Sequence, residues 1–297
     1  MQLEMDAAMR AGIAASAHRR QREGTRLVAL SAVAFSTAGL FTRLVQADAW
    51  TLLFWRGLFG GAFILGWIAW TERRGMFGAF GAIGGAGLVA AACSTLATVC
   101  FIQALRHTSV AAVTVIFATA PFLAAAIAWV WLRDRPARRT LVASLLALIG
   151  VVVMVGHGEA GGAFGDLLAL AMTGLMALMM VVVHRHRAVS MLPAACLSAF
   201  ACAVLVAPWA HPASVSPATF GLLVLFGVLQ FGLGLLLLTL GSRRLSGPRA
   251  SLLSSLELPL APLWVWLAFG EGLTPAGWIG GAIVCAAVVM DAVGGED

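Results

Sequence analysis

Residues 104–134, ALRHTSVAAVTVIFATAPFLAAAIAWVWLRD, have a counterpart at residues 241–271, GSRRLSGPRASLLSSLELPLAPLWVWLAFGE. The two stretches align without gaps at a shift of 137 positions. Apolar residues alone would give chance matches, so the evidence for the alignment is the matched polar and aromatic pairs. They are Arg106 with Arg243, Ser109 with Ser246, Trp129 with Trp266, and Asp134 with Glu271. The pattern predicts two copies of one structural unit.

The composition indicates that these units lie in a lipid bilayer. Hydrophobic residues make up 61% of the 297 residues, charged residues make up 11%, and the mean hydropathy is +0.96. A soluble domain carries roughly 25% charged residues because its surface faces water. The composition therefore excludes an ordinary soluble domain.

A helix needs about 20 mostly apolar residues to cross a bilayer. Ten stretches qualify, at about 27–45, 50–70, 82–105, 110–131, 141–156, 165–183, 191–208, 219–240, 249–269 and 276–293. The fold class expected is therefore an all-α integral membrane protein with ten transmembrane helices. Short connections leave no room for a further folded domain.

The repeat divides these spans into five and five. Residues 1–25 are expected to be a basic cytoplasmic tail, residues 26–156 the first repeat, and residues 165–293 the second. Because each repeat has an odd number of spans, the second must enter the membrane inverted relative to the first. Inverted repeats are typical of secondary transporters, whose substrate site lies near the membrane midplane.

The arginines support this topology. All 19 basic residues are Arg, and the net charge is +6. With a cytoplasmic N-terminus, only Arg43, Arg56 and Arg106 fall in the outer half, as the positive-inside rule predicts. Both termini are then cytoplasmic, and a nucleic-acid partner has no basis in the charge distribution.

The stretch 101–156 and its second copy from 238 to about 293 resemble the core of an EamA domain. The segment GDLLALAMTGLMALMMVVV at 165–183 resembles the opening span of a second such domain. The second copy has the Gly270-Glu271 pair that is frequent in this family, whereas the first has Arg133-Asp134. The sequence is thus similar to the tandem EamA transporters of the drug/metabolite transporter superfamily.

This resemblance implies a secondary transporter that exports small metabolites across the bacterial inner membrane by alternating access. Amino acids are the first substrate class expected, and drugs or amphipathic cations are the alternative. The resemblance implies no cofactor and a monomer or homodimer. A channel or a membrane-embedded enzyme is disfavoured, because the sequence has no ring of charges and no catalytic set.

Glu257 is the acidic residue placed deepest in a predicted span. Charges inside a membrane are costly, and they commonly mark ion or substrate pathways. Ser254 and Trp264 lie three residues before and seven after it, on one helix face. Glu257 is expected to receive a substrate ammonium group or a coupling proton, and the alternative is a structural carboxyl.

Arg56 lies about six residues inside the second span. The favoured interpretation is that its side chain snorkels to the outer surface. Binding of a substrate carboxylate and pairing with a helix end are the alternatives.

The remaining candidates are polar residues inside spans and prolines that interrupt them. The polar residues are Gln230, Ser36, Thr37 and Thr98, each of which an interhelical hydrogen bond would also explain. The helix-breaking residues are Pro121, Pro259 and Pro262, which free backbone carbonyls in corresponding spans of the two repeats and so point to a binding site. The alternative is that each proline only kinks its helix. The cysteines and histidines lack metal-ligand spacing, so no metal site is expected.

Overall fold

The computed structural model describes residues 2–72, 75–133, 138–156, 162–185, 191–245, 250, 253–254, 256–272 and 275–293, and within these ranges the chain consists of helices joined by short connections. The first repeat contains α1 Gln2–Ser36, α2 Ala38–Leu44, α3 Ala49–Glu72, α4 Met76–Gly81, α5 Gly84–His107, α6 Val110–Phe117, α7 Ala120–Leu132 and α8 Arg138–Gly156. The second contains α9 Gly162–Arg185, α10 Met191–Val206, α11 Pro217–Leu225, a π-helix Phe226–Leu233, α12 Gly234–Ser242, α13 Glu257–Phe269 and α14 Pro275–Val293. Two short 3₁₀ turns, Ala207–Trp209 and Pro212–Ser214, follow α10.

Seven helical segments of the described chain are long and apolar enough to cross a membrane. They are Arg19–Leu44, Ala49–Glu72, Gly84–His107, Val110–Trp131, Gly162–Val183, Leu192–Trp209 and Pro217–Ser242. Two shorter apolar stretches, Glu257–Phe269 and Trp278–Ala287, occupy the regions expected for the ninth and tenth spans. Residues 246–249, 251, 252 and 255 belong to or precede the expected ninth span and lie outside the described residues. The protein is a multi-pass helical membrane protein, and the number of ten spans stays a prediction.

The apolar residues divide into a packed interior and a large exposed surface. Leu52, Ile102 and Phe226 are fully enclosed within the helix bundle. In contrast, Val130 is 83% exposed and Val204 is 74% exposed, although both belong to apolar helices. An apolar surface of this extent is incompatible with water and suits lipid chains.

Residues 1–25 were expected to form a cytoplasmic tail, and the described residues of this region are helical. Its residues from Gln2 onward are the beginning of α1, which continues without interruption into the first span. Gly24 is buried, and a Cβ built on it would lie 2.9 Å from the Cβ of Arg244. The part of α1 around Gly24 therefore packs against the end of α12 and is not a separate segment.

The repeat seen in the sequence is also present in the helix boundaries. Helices α7 and α13 each have 13 residues, and α8 and α14 each have 19, with both pairs related by the same shift of 137 positions. Arg133 and Gly270, which follow α7 and α13, both adopt left-handed backbone angles, with φ of 57° and 69°. Glycine adopts this conformation without steric cost. The position thus explains the glycine of the Gly270-Glu271 pair.

Helix packing follows the same symmetry. Helix α5 packs against α9, and α1 packs against α12, so the third span of each repeat lies against the first span of the other. The equivalent helices α3 and α10 pair with each other, as do α8 and α14. The two repeats are therefore related by an approximate twofold exchange.

The contact between α3 and α10 depends on glycines that let the two backbones approach closely. A Cβ on Gly57 would lie 2.5 Å from the carbonyl oxygen of Ala199, and one on Gly61 would lie 3.1 Å from the ring of Phe200. Small residues serve this purpose in membrane helices, where van der Waals packing drives association.

The loop before α3 is held by Asp48, whose carboxylate accepts hydrogen bonds from Trp50 N and Thr51 N, both at 2.9 Å, and from Thr51 Oγ1 at 2.6 Å. Burial by itself raises the pKa of Asp48, but the hydrogen bonds from Thr51 and Trp50 outweigh it and hold the pKa below its ordinary value. Asp48 thus acts as a local N-terminal cap of α3.

We expect Gly57→Ala to destabilise the protein in detergent by about 1–3 kcal/mol, the usual cost of overpacking. The new methyl group would collide with the Ala199 carbonyl, and backbone cannot move away as a flexible side chain can. Thermal unfolding followed by size-exclusion chromatography measures the effect. Gly66→Ala is the control, because nothing lies within 4 Å of a Cβ at that position of the same helix. Equal thermal stability of the two variants would contradict the close packing.

Candidate functional site

The first span is broken at Thr37, between α1 and α2. Ser36 Oγ donates to Val33 O at 2.7 Å, and Thr37 Oγ1 donates to Ala34 O at 2.6 Å. Hydroxyls that bond back to carbonyls of the preceding turn compete with the backbone hydrogen bonds and bend helices. The Ser36-Thr37 pair therefore explains a break that has no proline.

Two side chains of the second repeat bind at this break. Trp264 Nε1, on α13, donates to Ser36 Oγ at 2.9 Å. Gln230 Nε2, in the π-helix, donates to the backbone carbonyl of Phe35 at 3.4 Å. The broken first span is thus the place where the predicted residues Ser36, Trp264 and Gln230 meet.

Arg56, which lies on α3, also contacts this group of residues. Its side chain does not snorkel to the surface, and the residue is only 6% exposed. Nε donates to Gln230 Oε1 at 3.2 Å, and Cζ lies 4.5 Å from the ring centroid of Phe231 and 5.3 Å from that of Phe226. An amide acceptor and two aromatic faces inside the bundle replace the water that snorkelling would supply. The snorkelling interpretation was therefore wrong.

The eighth span is not a plain α-helix around Gln230. Residues Phe226–Leu233 form a π-helix, whose wider turn shifts the side chains relative to α11 and α12. Gly227 allows this segment to touch α3, since a Cβ there would lie 3.0 Å from Arg56 O and 2.7 Å from Phe59 Cβ. Such π-helical turns frequently occur at functional sites.

Glu257 is the first residue of α13 and lies at the start of a half-helix. Its side chain is half-buried, and no hydrogen bond or ion pair joins it to another residue in the ranges that the structure describes. The helix N-terminus carries a partial positive charge, which favours a carboxylate at this position. Trp264 lies seven residues further along the same face, about 10 Å at 1.5 Å per residue.

The other predicted residues take different positions. Ser254 Oγ donates to Ala250 O at 2.9 Å, within its own segment. Thr37 Oγ1 is likewise engaged by its own helix. Thr98 is half-buried on α5, and within the described chain no hydrogen bond joins it to the group around Ser36.

The prolines mark the half-helices of the two repeats. Pro121 lies in the first turn of α7, after a break at Ala118 and Thr119. Pro259 lies in the first turn of α13, and Pro262 lies inside that helix. Ser255, whose carbonyl Pro259 would free, is outside the described residues.

A polar group at the far end of α2 was not among the candidate site residues. Arg43 Nε and Nη2 donate to the two carboxylate oxygens of Glu271, at 2.8 Å and 3.0 Å. Nearby, Thr108 Oγ1 donates to Asp166 Oδ1 at 2.8 Å. Arg43 and Glu271 are 228 positions apart, so no local pattern indicates that they pair. The Gly270-Glu271 pair was the one available signal.

No group of three His, Cys, Asp or Glu residues that could hold a metal ion is found among the described residues. The side chains that meet at the break of the first span are instead hydrogen-bond donors and aromatic rings. Glu257, for which the described chain shows no partner, lies two turns before Trp264 on α13. This arrangement suits a polar organic molecule.

Comparisons with known proteins agree with a carrier fold. The model of the EamA-like transporter family matches residues 23–156 and again residues 163–291. A solved structure, described only as a crystal structure of a protein, is similar with a TM-score of 0.63 and 20% identity, covering 91% of this chain and 96% of the other. That likeness concerns the fold alone. No curated protein matches the chain. Because the family model covers most of the sequence in two copies, the chain belongs to the EamA-like transporter family, a member of the drug/metabolite transporter superfamily.

Proposed function

We propose that this transporter exports small metabolites that carry an amine, amino acids first among them, across the bacterial inner membrane by alternating access. Family membership supports a carrier for small molecules. One observation supports the amine preference. The carboxylate of Glu257 is half-buried at the N-terminus of a half-helix and has no partner in the described chain. A charge in this position needs a counter-ion, and a substrate ammonium group or a proton supplies one.

The amino-acid proposal also needs a group that binds a carboxylate. Arg56 uses Nε on Gln230, and no acceptor for Nη1 or Nη2 appears in the described part of the chain. An Arg fork with free N–H groups suits a carboxylate. Arg56 and Gln230 also contact the first span through Phe35, next to Ser36 and Trp264. A substrate with both an amine and a carboxylate would therefore find complementary charges in Glu257 on α13 and Arg56 on α3.

The topology belongs to this proposal as well. We infer ten spans in two inverted five-span repeats, with cytoplasmic termini. The contacts Ser36–Trp264 and Arg43–Glu271 both join residues 228 positions apart, so the first span and α13 run in the same direction. An odd number of crossings must lie between two spans that run in the same direction, and seven crossings lie between a first and a ninth span. This supports placing α13 in a ninth span.

Drugs or amphipathic cations are the alternative substrates, for which Glu257 alone suffices. Aromatic side chains near the site are compatible with such molecules, since Trp264 lies on the Glu257 face of α13. The two substrate classes differ in the carboxylate, which an amino acid has and for which Arg56 is the proposed partner.

Counterflow in proteoliposomes tests the proposal. Vesicles loaded with unlabelled amino acids should accumulate labelled amino acids in a saturable way, and should accumulate the decarboxylated amines and cationic dyes far less. The reverse preference would establish the alternative, and flux that never saturates would indicate a channel.

We expect Glu257→Gln to lower counterflow about tenfold, because a charge-assisted contact contributes about 1.5–3 kcal/mol and the neutral amide cannot replace it. Glu72→Gln is the matched control, since Glu72 is exposed at the end of α3. If Glu257→Gln keeps both the rate and the pH dependence of the unmodified protein, the carboxyl is structural.

We expect Trp264→Phe to lower counterflow roughly threefold to tenfold, the effect of losing a hydrogen bond of about 0.5–1.5 kcal/mol. The change keeps an aromatic ring and removes the N–H that holds Ser36. Trp266→Phe on the same helix is the control, because Trp266 is 57% exposed on the lipid-facing side. Equal transport by the two variants would show that the Ser36 contact has no part in the cycle.

A further inference from the structure

The ion pair of Arg43 and Glu271 joins the two repeats at the end of α2. Beyond its two bonds to Glu271, Arg43 donates from Nη1 to the carbonyl of Leu105 and from Nη2 to that of Thr108, the latter at 3.1 Å. Glu271 Oε1 also accepts from Val110 N at 3.1 Å. The pair therefore joins α2, the corner between α5 and α6, and the second residue after the end of α13.

Each member of the pair lies at the helix end that favours its charge. Leu105 and Thr108 supply carbonyls at the C-terminus of α5, where a cation is stabilised, and Val110 supplies an N–H at the N-terminus of α6, where an anion is stabilised. The side chains are 23% and 25% exposed, so water reaches them only in part. The ion pair has defined hydrogen-bond partners, and the partial access of water allows its two side chains to be hydrated when they separate.

Among the described residues, the pair is one of two side-chain hydrogen-bonded contacts between the first span and the segment of α13 with the residues that follow it. Arg43 lies seven residues after Ser36, and Glu271 lies seven residues after Trp264. Both contacts are thus separated by about 10 Å along parallel segments. Both lie on the side of Glu257 toward the end of α2, which the arginine distribution assigns to the outside of the cell. The seam between the first span and α13 is closed on that side.

We propose that Arg43 and Glu271 form the outer gate of the transport path, and that this gate is closed in the present structure. Opening toward the outside requires Glu271 to leave Arg43 and the N-terminus of α6 together, which parts the first span from α13. The Ser36–Trp264 contact is the next to separate. This inference rests on the proposed alternating-access function and adds the residues that control the outer opening.

Cross-linking tests whether the pair separates during transport. The five cysteines are first replaced by alanine, and Arg43→Cys and Glu271→Cys are combined in that background. A bifunctional thiol reagent added from outside should lower counterflow at least about tenfold, and reduction should restore it, because a locked gate stops the cycle. If the cross-linked protein transports at the rate before cross-linking, the pair is a static contact and the gate proposal is wrong.

Labelling decides the question even if the double cysteine variant does not transport. Ser254→Cys, three residues from Glu257, serves as the reporter in the same cysteine-free background. Adding Glu271→Gln or Arg43→Gln should raise its rate of reaction with a membrane-impermeant thiol reagent from outside about tenfold, which corresponds to 1.4 kcal/mol in the opening equilibrium.

Asp48→Asn is the control for these rates, because Asp48 is also an acidic residue near the end of α2, but its partners in the described chain are Trp50, Thr51 and, at 3.9 Å, His211, and not the segment that follows α13. Its labelling rate should match that of the reporter alone. An unchanged rate in Glu271→Gln and Arg43→Gln would overturn the gate. Labelling needs no substrate, so this result is independent of which molecules the protein transports.

Discussion

Inside a bilayer no water is available to satisfy backbone polar groups, and this constraint explains where the few polar side chains of the spans lie. A helix that breaks in the membrane must find internal partners for the groups it frees. The first span breaks at Thr37, and the hydroxyls of Ser36 and Thr37 bond to the preceding turn. Gln230 binds the carbonyl of Phe35 at the same place. Polar contacts therefore concentrate at a break, where a substrate can also approach backbone.

The same constraint governs the charges. Arg56 is enclosed by Phe226, Phe231 and Gln230, which offset part of the cost of removing a guanidinium from water. Arg43 and Glu271 neutralise each other and bind helix ends. Glu257 differs from both, because no described residue compensates its charge. This contrast is why we propose Glu257 as the carboxylate that binds a substrate amine.

The internal repeat connects these features into one mechanism. Equivalent helices pair with each other, and α7 and α13 begin and end at equivalent positions. Yet the residues differ where function is expected: Glu257 occupies the position equivalent to Ala120. In the proposed cycle, the symmetric arrangement of helices alternates between two similar conformations. The carboxylate of Glu257 has no counterpart in the first repeat, so both conformations share one polar site. In the same proposed cycle, the contact of Arg43 with Glu271 biases which conformation is populated.

The sequence by itself determined the membrane environment, the repeat and the half-helix positions, because hydropathy and a constant shift of 137 positions are read along the chain. It also singled out Glu257, Gln230, Ser36 and Trp264 as separate candidates. Only the tertiary structure decided which of them meet, that Arg56 points inward, and that Arg43 pairs with Glu271. These contacts join residues 174 to 228 positions apart, and their partners are chosen by how helices pack. The local sequence pattern does not predict these partners, because a polar residue in an apolar helix gives the same pattern whether it faces a ligand, a neighbouring helix or a gate.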